Sequence, residues 1–159
     1  IPLETVERAV EIAHKHGTRV ILDPAPARAL PDSLLAKVTL ATPNETEAEL
    51  LTGVAGEDEA SCAKQAEILK GKGVQTVLVT RGKNGVLCRD SSGVRQFPTV
   101  AVRSVDSTAA GDCFNGGLGA ALARGESLEA AIAFASRAAA ISTTRLGAQD
   151  SLPFLKEVG

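Results

Sequence analysis

Residues 106–122 read D-S-T-A-A-G-D-C-F-N-G-G-L-G-A-A-L, from Asp106 to Leu122. Alanine and glycine crowd ahead of an apolar run, so the chain turns sharply and enters a helix whose first amides, at Ala110, Gly111 and Asp112, have no carbonyl to bond within it. Free N–H groups at the positive end of a helix dipole form an anion site suited to phosphate. Asp112, in the first turn, sets a carboxylate beside that anion. Taken locally, the carboxylate offsets the helix dipole. Beside a phosphate it repels, and the arrangement gains a chemical purpose if the carboxylate takes a proton from an incoming hydroxyl that then attacks the phosphoryl group. This stretch alone supports both readings.

The whole chain narrows the classes. Its 159 residues suffice for one domain with a real core, and 44% hydrophobic with 23% charged residues is ordinary for a globular protein. A net charge of −2, 3% aromatics and no Trp or Tyr leave neither a basic patch nor a stacking platform for nucleic acid. Cys62, Cys88 and Cys113 lack C-x-x-C spacing and cannot all pair, which predicts neither a disulfide framework nor a zinc site and suits a reducing cytoplasm. No apolar run has the length of a membrane span, and no charged-then-apolar leader opens the chain. The absence of Met, at position 1 and elsewhere, suggests a processed product or a fragment.

Working outward, Val6, Ala9, Val10 and Ala13 fall at helical spacing before Gly17, with His14 and His16 as surface residues near the helix end. R-V-I-L (19–22) predicts a buried strand that Asp23-Pro24 ends. A short helix over Pro31–Ala36 and a short strand over Val38–Ala41 follow, and T-P-N then opens a helix with Asn44 as N-cap and Glu47 as its capping-box partner. The next helix spans Glu59–Lys70, with Cys62, Ala66 and Leu69 on one face and Gly71 and Gly73 at its end. T-V-L-V (76–79) is a buried strand. Val86–Arg89 and Val94–Phe97, joined by D-S-S-G, form a hairpin. Leu128, Ala131, Ile132, Ala135, Ala138, Ala139 and Ser142 hold one helical face over four turns. Strands alternating with helices predict an α/β fold: a mostly parallel, doubly wound sheet with a small antiparallel hairpin. Asp23, Asn44 and Thr80 then follow the carboxyl ends of strands, the edge where such sheets bind ligands.

Five stretches together carry a resemblance: I-L-D-P-A-P-A-R (21–28), T-P-N-E-T-E-A-E-L-L-T-G (42–53), T-R-G-K-N-G-V (80–86), the A-A-G-D turn of 109–112, and T-R-L-G-A-Q-D-S-L-P (144–153). In this order the chain resembles the C-terminal half of the ribokinase-like family of carbohydrate kinases. That resemblance implies that residues 1–159 are the nucleotide-binding part of a partial kinase domain, using ATP to phosphorylate the primary hydroxyl of ribose or a related sugar. Asp112 would be the catalytic base and contact the sugar hydroxyl, and the amides of Ala110, Gly111 and Asp112 would form the anion hole. Asn44, Thr80, Arg81, Gly82, Lys83, Asn84, Gly85, Gly111 and Ser136 would contact ATP, with Gly82 and Gly85 allowing close backbone approach. Arg81 and Lys83 depart from the commoner family residues and either reach phosphates or face solvent. Ser136 stands where the family commonly has an asparagine near the adenine. Asp23 would support the nucleotide and metal site.

The same resemblance implies magnesium, with Glu47 ordering metal-bound water as suits a hard ion that keeps its waters. It also implies potassium as an activating cation, held by Asp106, Thr108, Ser142, Arg145, Gly147 and Ser151, mostly through backbone oxygens. A homo-oligomer, or association with the missing N-terminal half, would complete the molecule, and the chain alone would not turn over. A non-catalytic nucleotide-binding or assembly fragment is the alternative outside this class. Within it the alternatives are nucleoside, fructose and deoxyribose kinases.

Overall fold

The computed structural model describes residues 1–159. In chain order the elements are α1 (Leu3–Lys15), β1 (Ile21–Leu22), α2 (Asp32–Leu35), β2 (Leu40–Ala41), α3 (Glu45–Thr52), α4 (Glu59–Gly71), β3 (Thr76–Thr80), β4 (Val86–Asp90), β5 (Gly93–Phe97), α5 (Ala110–Ala123), α6 (Leu128–Ser142) and α7 (Leu155–Val158). They fall into two compact units, Ile1–Arg81 with Leu87–Gln96, and Gly82–Val86 with Phe97–Gly159.

The first unit is built on the sheet, whose strands stand in the order β1-β2-β3-β4-β5. β1 pairs parallel with β2, Ile21 opposite Leu40, and β2 pairs parallel with β3, Leu40 opposite Thr76. Helices occupy both crossovers, α2 the first and α3 with α4 the second, as parallel neighbours require. Residues 81–85 and 91–92, which join β3 to β4 and β4 to β5, are too short for crossovers, so these strands run antiparallel. The sheet is therefore mixed, and only its β1-β2-β3 part is parallel. The expected hairpin is present, with Asp90 and Gly93 drawn into its strands. Its turn is held by Asp90, which accepts from the Ser92 amide at 2.8 Å and hydroxyl at 2.6 Å and pairs with the Arg95 guanidinium. Despite the cost of burial, the Ser92 hydroxyl and these partners lower the Asp90 carboxyl to about 2.

β1 and β2 are shorter than the apolar runs predict because threonine side chains take over ladder positions. The Thr39 hydroxyl accepts from the Val20 amide at 3.0 Å, and the Thr39 and Leu40 amides both donate to the Val20 carbonyl. Beneath the sheet, Cys62, Ala66 and Leu69 of α4 are fully buried with Val38, Ala48, Val77, Val79 and Leu87. This is the face that the helical spacing selects. The Asp58 carboxylate starts α4 by accepting from the Ser61 amide at 3.0 Å. Gln65, fully buried among these apolar groups, donates to the carbonyls of Val54 and Gly56 at 2.8 and 3.0 Å and so ties down the loop ahead of α4.

The second unit rests on α5 against α6. A β-carbon on Gly117 would lie 3.2 Å from the Ala135 Cα, so the two helix backbones approach closely, and Leu118, Ala121, Ala131, Ile132 and Ala135 are fully buried there. Ser127 caps α6 through the Ala130 amide. The short α7 has no periodic signal. It forms because Glu157 accepts from the Phe154 amide at 2.8 Å and pairs with Arg145 at 2.5 Å. All three cysteines are buried, and none forms a disulfide. No helix is long and apolar enough to cross a membrane.

Candidate active site

At the carboxyl edge of the parallel strands, Asn44 and Thr80 form an isolated parallel bridge, and the Thr80 amide donates to the Pro43 carbonyl at 2.9 Å. Two residues expected at one site, far apart in sequence, are thus neighbours. Asp23 follows β1 at the same edge. Asn44 caps α3 as its sequence predicts: its Oδ1 accepts from the Glu47 amide and Glu47 Oε2 accepts from the Asn44 amide, both at 2.8 Å. The cap uses the Asn44 side-chain oxygen, which leaves the side-chain NH2 as the group able to donate to a phosphate. It uses one Glu47 oxygen and leaves the other to accept from a metal-bound water.

Arg81 takes neither course expected for it. Its side chain is buried and directed inward, Nε 3.7 Å from Glu45 Oε1 and Nη2 donating to the Glu57 carbonyl at 3.4 Å. Sequence reasoning missed this pairing, and the only signal for it was an acidic residue in the first turn of α3. Burial raises the Glu45 carboxyl, as does the nearby Glu57 carboxylate, while Arg81 pulls it down.

In the second unit, Gly82, Lys83 and Asn84 form an exposed 3-10 turn, closed by the Gly85 amide donating to the Gly82 carbonyl at 3.1 Å. Gly85 has φ +81°, and a β-carbon there would lie 2.0 Å from the Phe97 carbonyl oxygen. The close approach that this glycine permits is therefore to the chain's own backbone.

The start of α5 departs from an ordinary cap. Ala109, at φ 60°, occupies the left-handed region without being glycine, and no side chain caps the helix. This conformation costs about 1 kcal/mol for an L-residue. The Ala110 amide donates to the Ser107 carbonyl at 3.1 Å, which occupies one of the three donors expected for the anion hole. The amides of Gly111 and Asp112 have no such backbone acceptor, and both residues are exposed. The next residue, Cys113, is buried, and burial raises its thiol although the Ser142 hydroxyl beside it lowers it. Ser136 is 5% exposed, and its hydroxyl has no hydrogen-bond partner within the chain.

The segment leading into α5 is tied to the loop after α6. The Thr143 carbonyl accepts from the amides of Val105 and Asp106 at 2.7 and 3.1 Å. Asp106 Oδ2 accepts from the Gly147 amide at 3.0 Å, and Oδ1 accepts from the Thr108 hydroxyl and amide at 2.7 and 2.9 Å. These bonds, that from the Thr108 hydroxyl foremost, hold the Asp106 carboxyl below the usual range. Ser142 and Ser151 donate to the carbonyls of Ala139 and Ala148, both at 2.8 Å, leaving their hydroxyl oxygens able to accept or ligate. The Arg145 guanidinium pairs with Glu157 and, as a cation with no acceptor, leaves only the backbone carbonyl of Arg145 suited to a cation.

A family model described as pfkB family carbohydrate kinase matches residues 1–155. The chain belongs to the pfkB family. Among pfkB-family and other known proteins, it is 47% identical over 156 residues to a ribokinase of Haemophilus influenzae, an alignment covering 98% of this chain and 51% of that one. The fold matches a ribokinase of Thermotoga maritima with a TM-score of 0.91 at 40% identity. It matches an Arabidopsis thaliana ribokinase complexed with ribose and ATP with a TM-score of 0.94 at 31% identity. Both structural matches cover 99% of this chain and 52% of the relative. The chain thus spans about half the length of the relatives it matches.

Proposed function

We propose that the chain is the nucleotide-binding half of an ATP-dependent sugar kinase that transfers the γ-phosphoryl group to the primary hydroxyl of ribose or a related sugar. The observation that carries this reading is the start of α5, where the unpartnered amides of Gly111 and Asp112 and the Asp112 carboxylate share one exposed turn in a pfkB-family chain. The amides and the helix dipole bind the anion and stabilise charge that develops on the transferring group. The Asp112 carboxylate contacts the sugar hydroxyl and removes its proton as the oxygen attacks phosphorus. The Ala110 amide supports the turn rather than the anion.

In the first unit, Asn44 donates to phosphate through its side-chain NH2, the Thr80 backbone borders the nucleotide, and Asp23 supports the site. In the second, Gly82 to Gly85 with the exposed Lys83 line the nucleotide, and the orphaned Ser136 hydroxyl serves the base. Magnesium, when bound, neutralises and orients phosphate oxygens. The free Glu47 oxygen is fitted to hold one of its waters. Potassium would be held by Asp106, Thr108, Ser142, Arg145, Gly147 and Ser151, and the hydrogen bonds that join the segments before α5 and after α6 support that assignment. Three buried thiols, none of them in a disulfide, suit a reducing cytoplasm. The unpaired outer edge of β1 suits association with the rest of a longer kinase or with another copy.

Calorimetric titration of the 159-residue chain with ATP, with and without magnesium, combined with an assay for ribose phosphate, tests the reading. The expected result is ATP binding that magnesium strengthens, and no turnover, because the sugar hydroxyl lacks the positioning that supplies about 7–11 kcal/mol of a barrier. No binding in either condition contradicts the nucleotide site. Ribose phosphate formed by this chain would place the sugar site within these residues.

A further inference from the structure

The Asn44–Glu47 cap is local to α3, and something must fix the orientation of that helix against the sheet. The backbone contributes the Asn44–Thr80 bridge and the Thr80–Pro43 hydrogen bond, both at the end of β3. The next residue is Arg81, and it is 8% exposed. Its Nε lies 3.7 Å from Glu45 Oε1 and has no hydrogen-bond acceptor, while Nη2 reaches the Glu57 carbonyl in the loop ahead of α4.

A buried cation at the first turn of a helix faces the positive end of its dipole. It is tolerated there because Glu45, in that same turn, supplies the opposite charge, and removal of either partner leaves the other uncompensated in a low-dielectric setting. Glu45 in turn is largely buried, its side chain 21% exposed, and the Arg81 guanidinium is the cation set against it. Lys83, two residues on, is exposed and has none of these contacts. Arg81 is therefore held by the chain itself and is not displayed to a ligand.

We propose that Arg81 is a positioning residue for the nucleotide site, its guanidinium clamping the first turn of α3 to the end of β3 through Glu45. This rests on the reading of Asn44 and Glu47 as nucleotide and magnesium contacts. Because the reciprocal cap links Asn44 to Glu47, a shift of the first turn displaces both together. The clamp acts on where they stand and makes no contact with phosphate.

The test uses the full-length kinase carrying this chain, with Arg81→Ala, Arg81→Lys, Glu45→Gln, the Arg81→Ala/Glu45→Gln double variant and Asn44→Ala. Readouts are KM for MgATP, KM for sugar, half-saturating magnesium at fixed ATP, and the thermal midpoint. Arg81→Ala is expected to raise KM for MgATP about tenfold and to raise half-saturating magnesium, leaving sugar KM within about twofold. The double variant should be no worse than Arg81→Ala, and Arg81→Lys, which keeps the charge beside Glu45, should recover part of the loss. Should Arg81→Ala fail to fold, Glu45→Gln keeps the size of the partner and reports the same KM change. A fall in thermal midpoint with both KM values unchanged would overturn the proposal in favour of plain packing, and additive losses in the double variant would overturn the coupling to Glu45. If Asn44→Ala leaves KM for MgATP at the parent value, the nucleotide-site reading itself is wrong. If Asn44→Ala raises it and Arg81→Ala does not, only the positioning role is lost.

Discussion

Gly85 shows how a single residue sets the loop that borders the proposed nucleotide site. With φ +81° and the Phe97 carbonyl 2.0 Å from where a β-carbon would stand, alanine there meets both backbone strain and a clash with rigid main chain. Gly85→Ala is expected to cost at least about 2 kcal/mol of unfolding free energy in a urea titration. A loss below about 0.5 kcal/mol would show that the loop relaxes freely and that the glycine is incidental. The sequence marks this glycine but not its reason, since the crowding comes from the far end of the hairpin. The Asn44–Glu47 cap was readable because its partners are three residues apart. The inward turn of Arg81 was not, because its carbonyl partner lies 24 residues away.

Among the elements, α5 depends on what precedes it. Its start has no capping side chain, and a strained Ala109 is held by hydrogen bonds that run from Val105 and Asp106 to Thr143 and from Gly147 back to Asp106. A cation ligated by those same segments would stiffen the turn that carries the free amides of Gly111 and Asp112. In the full-length kinase, potassium should therefore give a higher rate than sodium or lithium at equal ionic strength, because a cage of many carbonyl oxygens suits the larger ion. Equal initial rates in the three salts would remove the cation assignment and leave the role of Asp112 standing. The long helices were legible in the sequence because periodicity and flanking glycines mark them. β1 and β2 were only partly so, since threonine side chains replace ladder bonds beyond two residues. α7 gave no signal, because a distant ion pair and one local cap hold its single turn.

For the molecule as a whole, the order of five stretches was enough to assign the family, and the pfkB match over residues 1–155 agrees. The division into two units was not legible, because it passes through residues 82–86 and 97, inside what reads as one continuous loop and hairpin. The residues that distinguish one sugar from another were not legible either, since no stretch of this chain reads as a sugar site. The central claim is that a carboxylate at the head of α5 removes the proton from the attacking hydroxyl. Its most direct test is Asp112→Asn in the full-length kinase, which keeps the size of the side chain and the helix start but cannot accept that proton. With saturating ribose and MgATP, kcat should fall by at least about a hundredfold while the dissociation constant for ATP stays near the parent value. Turnover by Asp112→Asn near the parent rate would contradict the account.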